Sequence, residues 1–172
     1  MSTVSPATRH AIIGSPIGPL TVVRDDDGIT GVYFPHHWTR PDPASFGAQV
    51  DTDRDHGFDE VITQLGEYFA GARREFSLPL TPHGSFPAQQ VWKLLTAIPY
   101  GRTTSYGELA RQLGGDLTAQ DVGRFVGANP LSILIPCHRV VGAAGQLTGY
   151  AGGLKRKRHL LELEGAIPAG LF

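Results

Sequence analysis

Cysteine is almost absent from the sequence, and long apolar runs are missing altogether. The single cysteine, Cys137, cannot form a disulfide within the chain, and with seven scattered histidines it cannot assemble a cysteine-rich zinc site. No run reaches the roughly eighteen apolar residues of a membrane helix, and residues 1–10 lack the basic and apolar stretches of a secretion signal. These absences predict a reducing compartment, no bound metal and no membrane contact.

An excess of charge of one sign is also lacking. The net charge is −1, charged residues make up 18% and hydrophobic residues 41%. This composition excludes a disordered chain and a histone-like polycation, and it supplies enough apolar surface for a packed core. The charge is unevenly placed, however: residues 1–83 carry 6 Lys and Arg against 11 Asp and Glu, whereas residues 84–172 carry 9 against 5. The second half is therefore the candidate for binding a polyanion.

The first half begins with three β-branched or aromatic runs at residues 11–13, 20–23 and 29–34. Segments with turn chemistry separate them, which predicts a small antiparallel sheet. Residues 35–57 are rich in Pro, Asp and His without periodicity and indicate a long surface loop.

An amphipathic helix is predicted over residues 58–70, where apolar residues recur at helical spacing and Gly71 follows. Residues 78–84 cannot be a regular helix and lie where the net charge changes sign. We therefore place a domain boundary here, between an N-terminal domain at residues 1–83 and a C-terminal domain at residues 84–172.

The second half opens with a predicted helix, because residues 91–98 place apolar side chains on one face. Ser105 and Glu108 then form an S-x-x-E capping box, and Thr118 and Asp121 repeat this start signal. Two short capped helices joined by a Gly-containing turn are typical of a DNA-binding helix-turn-helix, although ordinary helical pairs share the pattern.

Residues 132–135 form a buried-strand candidate that runs into the tetrapeptide Pro136-Cys137-His138-Arg139. The whole pattern predicts an α+β fold: a small N-terminal antiparallel sheet with a helix, then a C-terminal helical domain with a helix-turn-helix and a short strand carrying the tetrapeptide. Cys137 is either a small buried hydrophobe or a nucleophile whose thiolate is stabilised by its basic neighbours.

Further motifs surround the cysteine. An N-P pair lies eight residues before it, and a Y-x-G-G motif follows. This combination, over nearly all of residues 84–172, closely resembles the O6-alkylguanine-DNA alkyltransferases, or methylated-DNA--protein-cysteine methyltransferases; residues 15–20 are similar to their companion domain. The motifs that carry the resemblance are Val91-Trp92, Ile98-Pro99-Tyr100-Gly101, Thr104-Ser105-Tyr106, Asn129-Pro130, Ile135-Pro136-Cys137-His138-Arg139-Val140, Leu147-Thr148-Gly149-Tyr150-Ala151-Gly152-Gly153, Lys157 and Leu160-Leu161-x-x-Glu164-Gly165.

The resemblance implies single-turnover DNA repair: a lesion guanine is rotated out of the duplex, and its O6-alkyl group passes irreversibly to the protein's cysteine, without a cofactor. The implied partner is double-stranded DNA carrying O6-alkylguanine, which the protein binds as a monomer through the minor groove. The implied location is the cytoplasm, or the nucleoid if the source is bacterial.

The resemblance also implies catalytic roles. Cys137 is the nucleophile, and His138 is the base, acting through a water, with Glu164 orienting it. Asn129 braces the turn around the cysteine, and Tyr106 donates its hydroxyl to the departing base. Taken singly, such residues have ordinary readings as a helix-face charge, a helix cap and a half-buried aromatic.

Binding roles are implied for two further groups. On the substrate side, Tyr150 lines the alkyl pocket, and Val140, Ala151, Gly152, Gly153 and Lys157 border the flipped guanine. On the DNA side, the assigned residues are Gln120, Asp121, Gly123, Arg124, Gly127 and Arg139. The basic run at residues 155–158 is open between phosphate contacts and a solvated helix face.

The sequence departs from the family pattern in the second helix of the helix-turn-helix. The family's arginine that enters the vacated stack is replaced by Gln120, and an alanine is replaced by Asp121. Arg124 lies one turn later and is a partial substitute, while Phe125 is bulkier than the small residue expected there. A further departure is residues 86–89, where the family's F-Q pair is displaced. These changes put the strength of DNA binding in question.

Two other functions remain open. A non-repairing module that binds lesions and recruits other factors is favoured mildly by the missing arginine and disfavoured by the retained Cys137. A cysteine hydrolase unrelated to DNA needs an oxyanion hole and leaves the helix-turn-helix unexplained.

Overall fold

The computed structural model describes residues 7–37 and 41–169. Its N-terminal half is built on a four-stranded sheet in the order β3-β2-β1-β4, whose first three strands are antiparallel. The strands are β1 (Arg9–Ile13), β2 (Leu20–Arg24), β3 (Ile29–Tyr33) and β4 (Ala48–Gln49). Strand β4 pairs in parallel with β1, so the prediction of a purely antiparallel sheet is wrong at this edge.

The predicted loop at residues 35–57 is more structured than its composition indicates. Besides β4, it holds a 3-10 helix at Pro43–Phe46 and runs into another at His56–Phe58. Aspartate side chains cap both, because Asp42 accepts from the Ala44 amide and Asp55 accepts from the Gly57 amide. Residues 38–40 of the predicted loop lie outside the described residues.

Helix α1 (Asp59–Phe69) buries Val61, Leu65 and Tyr68 on its apolar face, as the spacing predicts, in a core that it shares with the sheet. The segment after it returns to the sheet: the Ile29 amide donates to the Pro79 carbonyl, and the Thr81 amide donates to the Ile29 carbonyl. The division at residues 83 and 84 stays a prediction, and both predicted domains extend beyond the described residues at the chain ends.

The C-terminal half carries three helices with serine or threonine caps: α2 (Phe86–Thr96), α3 (Tyr106–Leu113) and α4 (Ala119–Gly127). The predicted capping box of Thr118 and Asp121 is confirmed in both directions. Ser105 caps α3, but the Glu108 carboxylate contacts Arg111 and Gln112 instead of reaching back to the cap. A parallel bridge of two short strands, β5 (Thr104–Ser105) and β6 (Val140–Val141), joins the start of α3 to the cysteine motif.

The predicted strand at residues 132–135 is wrong. This segment is a compact turn in which the Ile135 amide donates to the Leu131 carbonyl and Ile133 has a left-handed backbone with φ 72°. The apolar side chains are buried as predicted, but the side-chain Nδ2 of Asn129 donates to the Ile135 carbonyl at 2.9 Å and takes the place of a strand partner. The cysteine motif itself lies in a 3-10 helix, Cys137–Arg139, and not on a strand.

Helix α5 (Leu154–Leu163) closes the fold, and one apolar core runs through both halves. The turn before the cysteine motif is attached to the N-terminal sheet, because the Val32 amide donates to the Pro130 carbonyl. None of the helices in the described part of the chain has the length and apolar character that crossing a bilayer requires.

Candidate active site

A cavity of about 470 Å³ opens between helix α4 and the segment at residues 148–151, with Cys137 on its wall. The wall is mostly apolar, and it brings together residues from α3, α4, the turn before the cysteine and the segment after β6. The lining residues are Tyr106, Ala119, Gln120, Gly123, Arg124, Val126, Gly127, Asn129, Ser132, Cys137, Thr148, Gly149, Tyr150 and Ala151.

Cys137 is held in place by the turn that precedes it. Asn129 is buried and bonds this turn at two points, accepting from the Leu131 amide at 3.0 Å and donating to the Ile135 carbonyl. Burial raises the pKa of the Cys137 thiol, and a hydrogen bond with Asn129 and the charge of Lys157 oppose this only in part. The resting thiol is therefore protonated at neutral pH and needs a base before it can attack.

His138 and Glu164 form a buried pair beside the cysteine. The His138 Nε2 atom lies 2.8 Å from Glu164 Oε2, and both side chains are fully buried. Arg139 holds the same carboxylate with Nε and Nη2, at 2.8 and 3.0 Å, and Tyr68 Oη donates to it at 2.6 Å. The carboxylate is thus bonded by three side chains at once.

The ionisation of Glu164 determines which nitrogen of His138 carries the proton. Burial raises the pKa of Glu164, but hydrogen bonds from His138, Arg139 and Tyr68 outweigh it and bring the pKa to about 2. Burial lowers the pKa of His138 more than Glu164 raises it. A neutral imidazole facing an ionised carboxylate carries its proton on Nε2, so Nδ1 has a free lone pair. His138 Nδ1 is buried and has no hydrogen-bond partner among the described residues.

The opposite wall of the cavity is held by hydroxyls and a buried lysine. Thr148 Oγ1 donates to Tyr106 Oη at 3.3 Å, and burial raises the pKa of Tyr106 and of Tyr150. Lys157 is completely buried, and its Nζ atom donates to the Thr148 carbonyl at 2.6 Å. Burial lowers the pKa of Lys157 to about 8. Both tyrosines therefore remain protonated, and each can act as a hydrogen-bond donor within the cavity.

The helix-turn-helix presents Gln120, Gly123, Arg124 and Gly127 to the cavity. Asp121 does not line it, because its carboxylate caps the start of α4 and pairs with Arg124 at 2.5 Å. That ion pair competes with the predicted use of Arg124 as a substitute for the missing arginine.

The bulk of Phe125 is accommodated without blocking this cavity. Its ring packs partly against the core, and its carbonyl accepts from Trp92 Nε1 at 2.8 Å, which ties α4 to α2. The ring of Phe125 therefore adds to the core, and its backbone carbonyl joins the two helices.

Several predicted contacts are corrected by the structure. Arg139 is buried, and its guanidinium is used by Glu164 and the Ile98 carbonyl, so the prediction that it contacts DNA is wrong. Val140 is fully buried in β6 and does not line the cavity. Lys157 is buried behind the cavity wall and bonds to the Thr148 carbonyl. Its side chain therefore lies neither on a solvated helix face nor where it could contact a phosphate.

The two glycines of the Y-x-G-G motif also serve the backbone and not the cavity wall. A Cβ atom on Gly152 would lie 2.5 Å from the Phe34 ring, and Gly153 has φ 92°, so close packing and a left-handed turn require them. Of the predicted A-G-G segment only Ala151 lines the cavity.

Six contributors to the site were missed by the reading of the sequence, and two of them are Val126 and Gly149 on the cavity wall. Ala119, Ser132 and Thr148 line the cavity, and the L-T-G-Y spacing that marks Tyr150 also places Thr148 two residues before it. Tyr68 bonds to Glu164 from the other half of the chain. No local signal could have found Tyr68, because its helical spacing from Leu65 is that of an ordinary core residue.

Together the fold and the site define a class: a mixed α+β protein in which a helix-turn-helix forms one wall of a cavity that holds a buried Cys-His-Glu set. Comparison with known proteins is more specific. Residues 87–166 match the 6-O-methylguanine DNA methyltransferase DNA binding domain, and residues 8–82 match the ribonuclease-like domain of the same family. The chain belongs to the 6-O-methylguanine DNA methyltransferase family.

Individual relatives match over most of their length. A methylated-DNA--protein-cysteine methyltransferase of Mycobacterium tuberculosis is 48% identical over 164 residues, covering 91% of this chain and 92% of the relative. The protein of that name from Methanosarcina acetivorans is 40% identical over 158 residues, covering 91% and 98%. The crystal structure of Mycobacterium tuberculosis OGT in complex with DNA superimposes with a TM-score of 0.82 at 43% identity, covering 92% and 93%.

Proposed function

We propose that this protein repairs DNA directly, by transferring an alkyl group from O6 of guanine to Sγ of its own Cys137. The observation that carries the proposal is the position of Cys137 on the wall of a cavity that helix α4 of the helix-turn-helix also lines. A base that leaves the duplex beside α4 enters this cavity and meets the sulfur. A hydrolase that acts independently of DNA would not require a helix-turn-helix beside its nucleophile.

The proton of the thiol passes to His138, through a water, because Nδ1 holds a free lone pair and Glu164 stabilises the imidazolium that forms. The thiolate then attacks the alkyl carbon, an S–C bond forms, and the bond from that carbon to O6 breaks. Its electron pair stays on the purine oxygen, where the Tyr106 hydroxyl donates a hydrogen bond to the departing base. The guanine anion then takes up the proton that left the thiol, returned from His138 through water, so the products are S-alkylcysteine and neutral guanine. The thiol is not regenerated, which agrees with a single turnover.

The experiment that tests the proposal is intact-mass measurement after incubation with a duplex containing O6-methylguanine. Direct repair adds one methyl group to the protein, and tandem mass analysis places it on Cys137. Binding to the lesion with no gain in mass would favour the alternative of a non-repairing module, and modification at another residue would contradict the assigned nucleophile.

DNA binding by this protein as a monomer, from the minor groove, is part of the same proposal. Around the helix-turn-helix the exposed cations are Lys93, Arg102, Arg111 and Arg124. If these neutralise about four phosphates, duplex affinity falls about 10²-fold between roughly 50 and 200 mM salt, with little dependence on sequence. Fluorescence anisotropy at several salt concentrations measures this slope, and affinity that does not change with salt would contradict phosphate binding.

Gln120 provides a second prediction about DNA. An extruded base leaves a gap in the stack, and Gln120, which lines the cavity, is the residue that we expect to enter it. Glutamine is shorter than arginine and has no guanidinium plane. Gln120→Arg therefore speeds repair of duplex DNA by roughly tenfold, equivalent to about 1.4 kcal/mol, and leaves repair of single-stranded DNA nearly unchanged. Single-turnover rates on the two substrates measure the effect.

The matched control is Gln112→Arg, which adds the same charge to the exposed surface of α3, outside the cavity lining. It raises binding to both substrates equally through long-range attraction. If Gln120→Arg gives no gain specific to duplex DNA, Arg124 already fills the gap despite its pairing with Asp121.

A further inference from the structure

Tyr68 connects the N-terminal half to the reactive pair. It lies near the end of α1, is completely buried, and donates its hydroxyl to Glu164 Oε2 at 2.6 Å across 96 positions of sequence. The bond is short for a neutral donor and is assisted by the charge on the carboxylate.

The surroundings of Tyr68 indicate that the hydroxyl matters separately from the ring. The ring packs against Phe69, Phe76 and Tyr100, with centroid distances of 5.3, 5.4 and 6.4 Å. Phenylalanine would fill this apolar space equally well, and within the described residues the hydroxyl bonds only to Glu164. The oxygen therefore has a role in the hydrogen-bond network that packing does not explain.

Oε2 of Glu164 receives competing donors. Tyr68 Oη, His138 Nε2 and Arg139 Nη2 all reach this one oxygen, at 2.6, 2.8 and 3.0 Å. Each donor withdraws charge from the carboxylate, so each weakens the acceptor that the other donors share.

We propose that Tyr68 is a positioning residue for alkyl transfer, whose hydroxyl fixes Glu164 and moderates the basicity of His138. The N-terminal half thereby contributes to the reaction as well as to the core. The inference rests on the proposed function of His138 as the base that removes the proton of Cys137.

The direction of the effect follows from electrostatics. Without the Tyr68 hydroxyl, negative charge concentrates on Glu164 Oε2, and the imidazolium form of His138 is stabilised. The pKa of His138 then rises, so the ring becomes protonated, and useless as a base, at a higher pH.

Other charged and titratable groups near the pair are unchanged by such a substitution. Arg139 and Lys157 act on His138 and oppose its protonation, while Cys137 and Tyr150 lie on the cavity side of the pair. A shift seen after removing only the Tyr68 oxygen is therefore attributable to the bond with Glu164.

The test is the pH dependence of single-turnover methyl transfer by the full chain carrying Tyr68→Phe. The acid limb of the plot of transfer rate against pH moves to higher pH by about one unit. The ¹⁵N chemical shifts of the His138 imidazole titrate with the same displacement. Tyr33→Phe is the matched control, because Tyr33 is another buried tyrosine of the N-terminal half and its ring stacks on Phe46. Removing the Tyr33 hydroxyl leaves the acid limb in place.

A second variant keeps the test decisive if Tyr68→Phe folds poorly. Fluorotyrosine introduced at position 68 keeps the shape and makes the hydroxyl a stronger donor, so the acid limb moves downward. If the limb stays at the wild-type position in either variant that folds, the proposal is overturned.

His138→Ala separates this inference from the proposed function. If that variant transfers methyl groups at the wild-type rate, His138 is not the base, and the role of Tyr68 fails with it. If His138→Ala is slow but the Tyr68 variants leave the limb unmoved, only the role of Tyr68 is overturned.

Discussion

Cys137→Ser abolishes methyl transfer and leaves binding of O6-methylguanine duplexes nearly unchanged. The serine oxygen fits where the sulfur lay, so the cavity surface is preserved, but a hydroxyl is far less acidic than a thiol. Burial already raises the pKa of the Cys137 thiol, and the same environment opposes an alkoxide more strongly still. Intact mass after incubation measures transfer, and anisotropy measures binding.

The control for this result is Cys137→Ala, which removes the nucleophile without adding a hydroxyl and should also bind without transfer. Agreement of the two variants assigns the loss to the missing thiol. A methyl group found on either variant would remove Cys137 from the centre of the mechanism and return it to the reading of a small buried hydrophobe.

Glu164→Gln lowers the free energy of unfolding by about 3 kcal/mol at neutral pH. The substitution leaves the buried Arg139 guanidinium without its anion, and among the described residues its remaining partners, the Ile98 carbonyl and the Tyr100 ring, are neutral. Urea unfolding measures the change. Glu162→Gln, two residues earlier, is the control, because its carboxylate is partly exposed and its ion pair with the exposed Arg158, at 3.9 Å, is of the weak surface kind.

The pH dependence of this difference has a definite sign. The pKa of Glu164 is lowered from an ordinary value of 4.5 to about 2 on folding. The ionised carboxylate therefore stabilises the wild type above pH 4.5, and this stability is lost as the pH falls toward 2, where the protonated acid resembles glutamine. Wild type and Glu164→Gln thus converge in acid. A constant difference from pH 7 to pH 3 would contradict the ionised network.

Transfer by Glu164→Gln also slows, because His138 loses the charge that stabilises its imidazolium. General-base catalysis contributes about 10²- to 10⁴-fold, and a neutral amide that still accepts the Nε2 proton retains part of it. Rates are compared on protein kept well below its unfolding midpoint.

Much of the fold was predictable because its signals are local. The caps at Ser105 and Thr118 sit at their helix starts, and α1 follows its apolar spacing. The turn at residues 132–135 was not predictable in the same way. Its apolar composition indicates burial, but a strand and a compact turn bury such residues equally well, and the Asn129 bond to Ile135 decides between them.

By itself, the sequence determined the candidate chemistry through its family resemblance: a lone cysteine followed by histidine, an asparagine eight residues before the cysteine and a carboxylate near the end of the chain. Only the tertiary structure decided which charges serve that chemistry. Arg139 and Lys157 are buried supports because of the faces they occupy, and Tyr68 reaches Glu164 because the fold brings the end of α1 to the end of α5. Burial and contacts across many residues are properties of packing, and no local pattern of residue types specifies them.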